Sequence, residues 1–456
     1  MTRGMGLPQD DMFGAYNPYG TPFEQPMVRI DRIRQLMLGA GCFLLSWHIL
    51  RIGDINFTAS DFLFLICFLI FLARQNLNMM ALNSMTAHWC TALAMMLGGL
   101  LIGSVFNGDP LRWANIASQY LFGFLLLPMV LMSEDRMWIR KCLLYFVLGV
   151  AASQIVALSM ANFFSFEQSK ELLGPSVVAG NGRIGGLVSD ANLNGAVIAF
   201  SIIALFNAHH HGLIRHFFAL CVGAVLFWAL LSTASFTAFA STAIATCIYF
   251  TLSNLGRFLK VGLPLMAFVV AYIVLGGPLP EAFSERVLGA VTTGDMSQAG
   301  TFTHRSALIA EAWEMSKDTL FVGLGVDRFR VESIHGMPVH QFWMLLLTEG
   351  GLISFTGLVL MFGVLGMMGL RAIQSHREDG AMVLAILAIL FIFSTSIPHM
   401  YNRLWITPLM LALAATFGRT TQVYFIPEEE PEADEFDNVF EVDGTPTVLA
   451  LKGQNP

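Results

Sequence analysis

His340 is the residue whose position in this sequence most suggests chemistry. It begins the apolar run HQFWMLLLTEGG, residues 340–351, directly after the longest polar segment between apolar runs. An imidazole at a water boundary can exchange protons near neutral pH, which makes His340 a candidate general base. In a uniform helix beginning near residue 340, Glu349 falls on the opposite face, and Gly351 returns to within about 20° of His340, roughly 16 Å deeper. We therefore expect no His340–Glu349 dyad, with Glu349 satisfying a neighbouring helix; the alternative is that His340 only starts the helix.

Arginines form the second group of residues that could take part in chemistry. Charges are scarce inside the apolar runs, and several arginines lie with His340 between these runs or at their ends: Arg183, Arg286, Arg305, Arg328, Arg330 and Arg403. Guanidinium forks match phosphate oxygens bidentately and stay charged at any working pH. For each of them, the alternative role is contact with lipid headgroups.

The amino-acid composition indicates the environment in which these residues lie. Apolar residues make up 55% of the chain and charged ones 12%, and the mean hydropathy is +0.64. Such values predict an all-α, polytopic integral membrane protein. About twelve segments are long enough to cross a bilayer: 35–50, 56–73, 87–106, 113–132, 142–162, 190–207, 217–232, 234–252, 260–276, 341–369, 381–398 and 402–418.

The distribution of lysine and arginine predicts the orientation of these segments. Basic residues concentrate in the connections that then face the cytoplasm, together with a leader at 1–34 and an acidic tail at 419–456. Helices 1–9 occupy 35–276, helices 10–12 occupy 341–418, and the loops 163–189 and 277–340 face the other side. In a bacterium this is an inner-membrane protein whose long loops lie in the periplasm. We expect loop 277–340 to form an ordered cap, because Leu308, Ala312 and Met315 have helical spacing and the turn VGLGVDRF follows.

Two motifs resemble those of the bacterial O-antigen ligase and O-antigen (exopolysaccharide) polymerase family of membrane glycosyltransferases. The first is R-x3-L at Arg183–Leu187, followed by SDAN at 189–192 where a helix opens. The second is HRSALIAEAWEMSKDTLFVGLGVDRF at 304–329, followed by HQ at 340–341 and by Gly351. The predicted topology, with a large periplasmic loop between helices 9 and 10, is similar to that of the family.

The resemblance implies a donor oligosaccharide linked through diphosphate to a polyprenyl lipid, and a glycan acceptor. It implies that His340 is the catalytic base and that Arg183 and Arg305 bind the diphosphate. Secondary candidates around them are Arg286, Arg328, Arg330, Arg403 and Glu349. No DxD-type carboxylate cluster appears on the predicted outer face and no nucleotide-phosphate loop on the inner one, so we expect a metal-independent enzyme without a cofactor and without nucleic acid.

Several functions remain open from the sequence. The leading expectation is a polymerase that joins lipid-linked repeat units into a surface or secreted polysaccharide. A ligase would instead hand the glycan to lipid A core or to a protein, but the nearly balanced charge of the cap loop offers no cationic shelf for a phosphorylated core. Outside enzymology, a lipid or polysaccharide transporter or an envelope scaffold is conceivable, although midplane charges are scarce. The acidic tail could dock a cytoplasmic or envelope assembly partner.

Overall fold

The chain folds into a bundle of α-helices. The computed structural model describes residues 24–51, 56–289, 292 and 302–419, and these contain no β-strand, in agreement with the all-α prediction. Short π-helical stretches at Phe122–Leu126 and Phe258–Gly262 lead into α5 and α12, and a third follows α13 at Ser284–Leu288. The helices in chain order are α1 (Glu24–Phe43), α2 (Ala59–Ala73), α3 (Thr86–Asn107), α4 (Pro110–Leu121), α5 (Leu127–Ser133), α6 (Arg136–Phe163), α7 (Phe166–Leu173), α8 (Ala191–His210), α9 (His216–Ser232), α10 (Phe236–Ser253), α11 (Leu255–Arg257), α12 (Leu263–Val274), α13 (Glu281–Phe283), α14 (Phe302–Asp318), α15 (Phe329–Glu332), α16 (Phe342–Ser375), α17 (Arg377–Ser394) and α18 (Arg403–Phe417).

Several of these helices have the length and composition of membrane spans, which indicates a multi-pass membrane protein. Six described helical segments are both long and apolar enough to cross a bilayer: Asn83–Asn107, Pro110–Ser133, Arg136–Phe163, Ala191–His210, Phe236–Ser253 and Phe342–Ser375. Each of the twelve segments predicted from the sequence overlaps a helix, while the count of twelve spans stays a prediction. Residues 1–23 of the predicted leader and 420–456 of the predicted tail lie outside the described residues.

Helices α3 and α16 pack closely against each other. A Cβ at Gly99 would lie 2.6 Å from the carbonyl oxygen of Gly350, and a Cβ at Gly357 would lie 2.4 Å from the backbone nitrogen of Met96. Larger side chains would therefore separate the two helices. Small residues at such contacts are how membrane helices bring their backbones together.

Helix α16 is broken at Gly351, where the backbone takes φ 64° and ψ −167°. The turn after α14 replaces the lost helical hydrogen bonds. Leu324 N–H donates to the carbonyl of Thr348 over 2.9 Å, Gly325 N–H donates to that of Glu349 over 2.8 Å, and Leu352 N–H donates to that of Leu320 over 2.7 Å. The expectation of one uniform helix through residue 351 is therefore wrong at Gly351, because its positive φ turns the chain out of helical geometry there.

The cap contains the predicted helix α14, and its expected apolar face is confirmed. Leu308 and Ala312 are fully buried, and Met315 packs against the same cluster, which includes Leu345 near the start of α16. The cap is thus anchored to the membrane helices by its own apolar stripe. Residues 290–291 and 293–301 of the predicted cap loop lie outside the described residues.

Charged side chains buried between helices are paired in several places. Asp61 at the start of α2 accepts a hydrogen bond from Arg403 Nε over 2.7 Å, and Glu134 pairs with Arg34 over 2.7 Å. Asp379 in α17 contacts Arg140 of α6 over 2.7 Å. Such pairing offsets the desolvation of each charge and fixes neighbouring helices against one another.

Candidate functional site

A cavity of about 640 Å³ opens where the starts of α4, α8, α14 and α16 meet the loop between α17 and α18. Its size is in the range of a small-molecule or sugar-binding site. Most of its lining residues carry a polar or charged side chain. The lining residues are Arg51, Asn56, Arg112, Asn115, Ile116, Gln119, Asp190, Asn192, Leu193, Arg305, His340, Ser396, Ile397, Pro398, His399, Tyr401, Asn402 and Trp405.

His340 and Arg305, two of the residues singled out by sequence, both line this cavity. His340 is half-buried and lies two residues before α16, whose N-cap is Gln341. Arg305 lies in the first turn of α14 and is also half-buried. Its Nε is shielded from solvent and has no hydrogen-bond partner among the described residues. A histidine and a guanidinium therefore face one space of substrate size.

Arg183 stands directly behind the cavity wall. Its Nη2 donates to Oδ1 of Asn192 over 3.0 Å, and its Nε donates to the carbonyl of Thr233 over 2.8 Å. The pKa of Arg183 is lowered to about 10, first by burial and then by repulsion from Arg286 and Arg305, with attraction from Asp190 opposing. Arg183 remains charged at neutral pH.

The pKa of Arg305 is also lowered, first by burial and then by Arg286, with Asp190 again opposing. Arg183, Arg286 and Arg305 are therefore close enough to repel one another. A cluster of like charges of this kind favours an anion between or beside the guanidiniums.

Asp190 and Asn192 place the start of α8 in the cavity wall. Asp190 caps the helix, because its Oδ1 accepts from Leu193 N–H over 2.7 Å. Asn192 accepts from Ser235 Oγ over 3.1 Å as well as from Arg183. Helix capping therefore accounts for Asp190, and Asn192 connects Arg183 to the cavity.

The other arginine candidates lie elsewhere. Arg328 is exposed and pairs with Glu332 over 2.7 Å, and Arg330 is exposed on the cap. Neither lines the cavity. Arg403 is buried and engaged by Asp61, with its charge also 5.4 Å from the centre of the Phe122 ring.

Arg403 contributes to the site indirectly. Its guanidinium also donates to Gln119 Oε1 and to the carbonyl of Asn56, and both of these residues line the cavity. Arg403 therefore braces the wall, while its hydrogen-bonding capacity is used within the protein.

Sequence reasoning did not single out Arg51 and Arg112, although both line the cavity. Arg112 in α4 donates from Nε to Asp327 Oδ2 of the cap over 2.5 Å. Their signal in the sequence was only that both lie in short connections predicted to face the same side as the cap. Nothing in their spacing relative to His340 indicated proximity.

Glu349 lies in α16 just before the break and faces His399. The Nε2 atom of His399 is 3.4 Å from Glu349 Oε2 and 3.9 Å from Asp327 Oδ1. The three side chains each offer a metal-ligating atom within 4.8 Å of the others. We expected Glu349 to satisfy a neighbouring helix, whereas its contact here is His399, which lies in the loop between α17 and α18.

The arrangement supports acid–base chemistry beside a cationic surface. A histidine can accept a proton from a hydroxyl bound in the cavity, and the arginines can neutralise a nearby phosphate. The side-chain amides of Asn56 and Asn115 can form hydrogen bonds in the cavity, and the half-buried ring of Tyr401 offers an aromatic surface.

Comparison with known proteins adds no name to this site. No protein-family model matches the chain, and no curated protein is detectably similar to it in sequence. The resemblance of the motifs at 183–192 and 304–329 therefore stays a prediction, and function must be argued from the cavity.

Proposed function

We propose that the protein is a glycosyltransferase of the bacterial inner membrane that polymerises polyprenyl-diphosphate-linked repeat units into a surface or secreted polysaccharide. The cavity would face the periplasm. The observation that carries the proposal is that His340 and Arg305 line one cavity of about 640 Å³, with Arg183 bound to its wall through Asn192. These are the base and the two diphosphate ligands that the motif resemblance implies.

The reaction is a displacement at the anomeric carbon of the donor sugar. His340 takes the proton of an acceptor hydroxyl, and the hydroxyl oxygen forms the new glycosidic bond as the bond between the anomeric carbon and the diphosphate oxygen breaks. The polyprenyl diphosphate leaves with the bonding electron pair. Because its charge grows during this step, cations held in advance near the leaving oxygen lower the barrier.

Arg305 is the principal residue for that role, since it lines the cavity and its Nε has no partner among the described residues. Arg183 and Arg286 add positive charge behind it. The Arg305 guanidinium can present two parallel N–H groups to phosphate oxygens. Arg51 lies on the same wall and extends the cationic surface.

Charges on the cap favour polymerisation over ligation to lipid A core. Lys317 pairs with Glu314 over 2.7 Å, and Arg328 pairs with Glu332 over 2.7 Å. Asp327 accepts a hydrogen bond from Arg112. Lys317 and Arg328, two of the cations on the described cap, are therefore neutralised by neighbouring acids. A heavily phosphorylated acceptor would be drawn more strongly to an unpaired cationic surface.

The test is reconstitution. Purified protein in liposomes is supplied with a polyprenyl-diphosphate-linked repeat unit and no other enzyme, and the products are separated by size. The proposal requires a ladder of lipid-linked oligomers. Failure of folded protein to lengthen its organism's own repeat unit would reject it.

A further inference from the structure

Three potential acceptor atoms converge beside the cavity: Oδ1 of Asp327, Oε2 of Glu349 and Nε2 of His399. They come from three separate segments, namely the turn that follows α14, the last turn of α16 before its break, and the loop between α17 and α18. Atoms that all carry lone pairs repel one another unless a positive centre lies between them.

The opposite nitrogen of His399 is held by Tyr120. The Nδ1 atom lies 3.4 Å from the Tyr120 hydroxyl oxygen, which also accepts a hydrogen bond from Met400 N–H over 3.3 Å. With its proton on Nδ1 directed to Tyr120, the imidazole presents the lone pair of Nε2 to the two carboxylates. Fixing the far nitrogen in this way is typical of metal-binding histidines.

Glu349 is the residue that most needs a positive partner. Its side chain is 1% exposed, and neither carboxylate oxygen has a hydrogen bond of good geometry, although His399 and the backbone N–H of Asp327 lie close to it. His399 Nε2 is also shielded and without a hydrogen bond inside the described chain. Asp327, by contrast, has one oxygen taken by Arg112, which leaves Oδ1 directed at the group.

The spacing fits a metal ion better than a shared proton. Charge-assisted N–H···O bonds are typically about 2.7–2.9 Å long, shorter than the 3.4 Å between His399 and Glu349. Two ligands that each lie about 2.1 Å from one ion at the tetrahedral angle are about 3.4 Å apart. The 3.9 Å between His399 and Asp327 corresponds to a wider angle at the same ion.

We propose that Asp327, Glu349 and His399 bind one divalent cation. Two carboxylate oxygens and an imidazole nitrogen suit manganese or zinc, since the set combines hard oxygen ligands with the nitrogen that transition metals prefer. Arg112 and Tyr120 hold the outer sides of Asp327 and His399. They orient the ligands as second partners do in metal sites.

The cation ties the cap to the membrane helices at the break in α16. Broken membrane helices frequently provide ion sites because their irregular backbone lines a cavity. Both Arg112 and His399 line the cavity, so an ion at this place fixes one wall of it. The inference rests on the three side chains and holds whatever reaction the cavity supports.

The test uses full-length protein in detergent, treated with chelator and then titrated with Mn²⁺ while the free-ion signal is followed by electron paramagnetic resonance. We expect one Mn²⁺ per chain, displaced by Zn²⁺. Glu349→Gln should weaken binding at least about 100-fold, and Tyr120→Phe should weaken it by about 10- to 100-fold. Glu332→Gln removes an exposed acid of the same cap and should leave binding unchanged.

Two results would overturn the proposal. One is the absence of stoichiometric Mn²⁺ or Zn²⁺ binding by folded wild-type protein at millimolar metal, which would mean that an imidazolium at His399 compensates the carboxylates. The other is unchanged binding in Glu349→Gln. If that variant does not fold, Asp327→Asn supplies the same comparison, and the wild-type titration decides independently of both.

Discussion

Arg183 donates a hydrogen bond to Asn192 over 3.0 Å, and Asn192 lines the cavity that also contains Arg305 and His340. The first residue of the sequence motif is thereby connected to the second motif through one amide side chain. Arg183 and Arg305 carry like charges and repel each other, and a bound diphosphate would relieve that repulsion. We therefore expect activity to be sensitive to a substitution at either position that keeps the positive charge but changes the shape of the cationic group.

Arg305→Lys and Arg183→Lys should each lower kcat/KM for the lipid-linked donor by about 10- to 100-fold. An ammonium keeps the charge but cannot form two parallel hydrogen bonds to phosphate, and one hydrogen bond to a charged group contributes about 1.5–3 kcal/mol. Arg330→Lys, on the exposed cap, is the matched control and should behave as wild type. Full activity of both test variants at equal expression would limit these arginines to a surface role.

Arg403→Met should destabilise the protein, because it leaves the buried Asp61 carboxylate without its guanidinium. Breaking one partner of a buried pair costs about 3–5 kcal/mol. The exposed pair of Arg328 and Glu332 gives the comparison, and Arg328→Met should cost at most about 1 kcal/mol. Equilibrium unfolding in detergent measures both values, and equal losses would contradict the assignment of Arg403 as a brace.

Gly323→Ala should loosen the cap. Gly323 has φ +77°, and a Cβ there would lie 2.4 Å from the carbonyl oxygen of Glu349. Gly336 on the same cap has φ +62° but nothing within 4 Å of an added Cβ. Gly336→Ala should therefore lower the free energy of unfolding only by the backbone penalty of about 1 kcal/mol. Gly323→Ala should lower it by roughly a further 1–3 kcal/mol because of the clash.

Limited proteolysis and unfolding free energies of these two glycine variants would check the difference. Equal stability of Gly323→Ala and Gly336→Ala would mean that the turn does not press against α16 as described.

Deleting the gene should leave single repeat units on the polyprenyl carrier and eliminate high-molecular-weight polysaccharide, with lipid A core unaffected. The reason is that the cap offers paired charges where a ligase would present a surface for a phosphorylated acceptor. Mass spectrometry of the extracted carrier lipids measures this. Full-length polymer on the carrier together with uncapped lipid A core would replace the polymerase proposal by the ligase.

The helices and the cap face could be predicted because apolar runs and helical spacing are local properties of a sequence. His340 was singled out because it stands directly before the apolar helix α16, whereas the role of Arg305 was implied only by the motif resemblance. The break at Gly351 could not be foreseen, since glycine is common inside regular membrane helices. Its cause is the docking of the turn after α14, a tertiary contact.

The cavity wall was largely beyond sequence reasoning. Asp327, Glu349 and His399 are separated by 22 and 50 residues, and no spacing rule connects residues that helix packing alone brings together. Arg51 and Arg112 were visible only as charges in short connections. Conversely, Arg403 resembled Arg183 in the sequence, and only the buried Asp61 beside it distinguishes a brace from a ligand.

The most direct test of the central claim compares two histidine variants in the reconstituted polymerisation assay. His340→Ala removes the proposed base from the cavity, whereas His335→Ala removes an exposed histidine of the same cap that does not line it. The account predicts that wild type and His335→Ala lengthen the lipid-linked repeat unit, while folded His340→Ala gives no ladder, because the proposed acceptor of the hydroxyl proton is lost. Near-normal turnover by His340→Ala would contradict it.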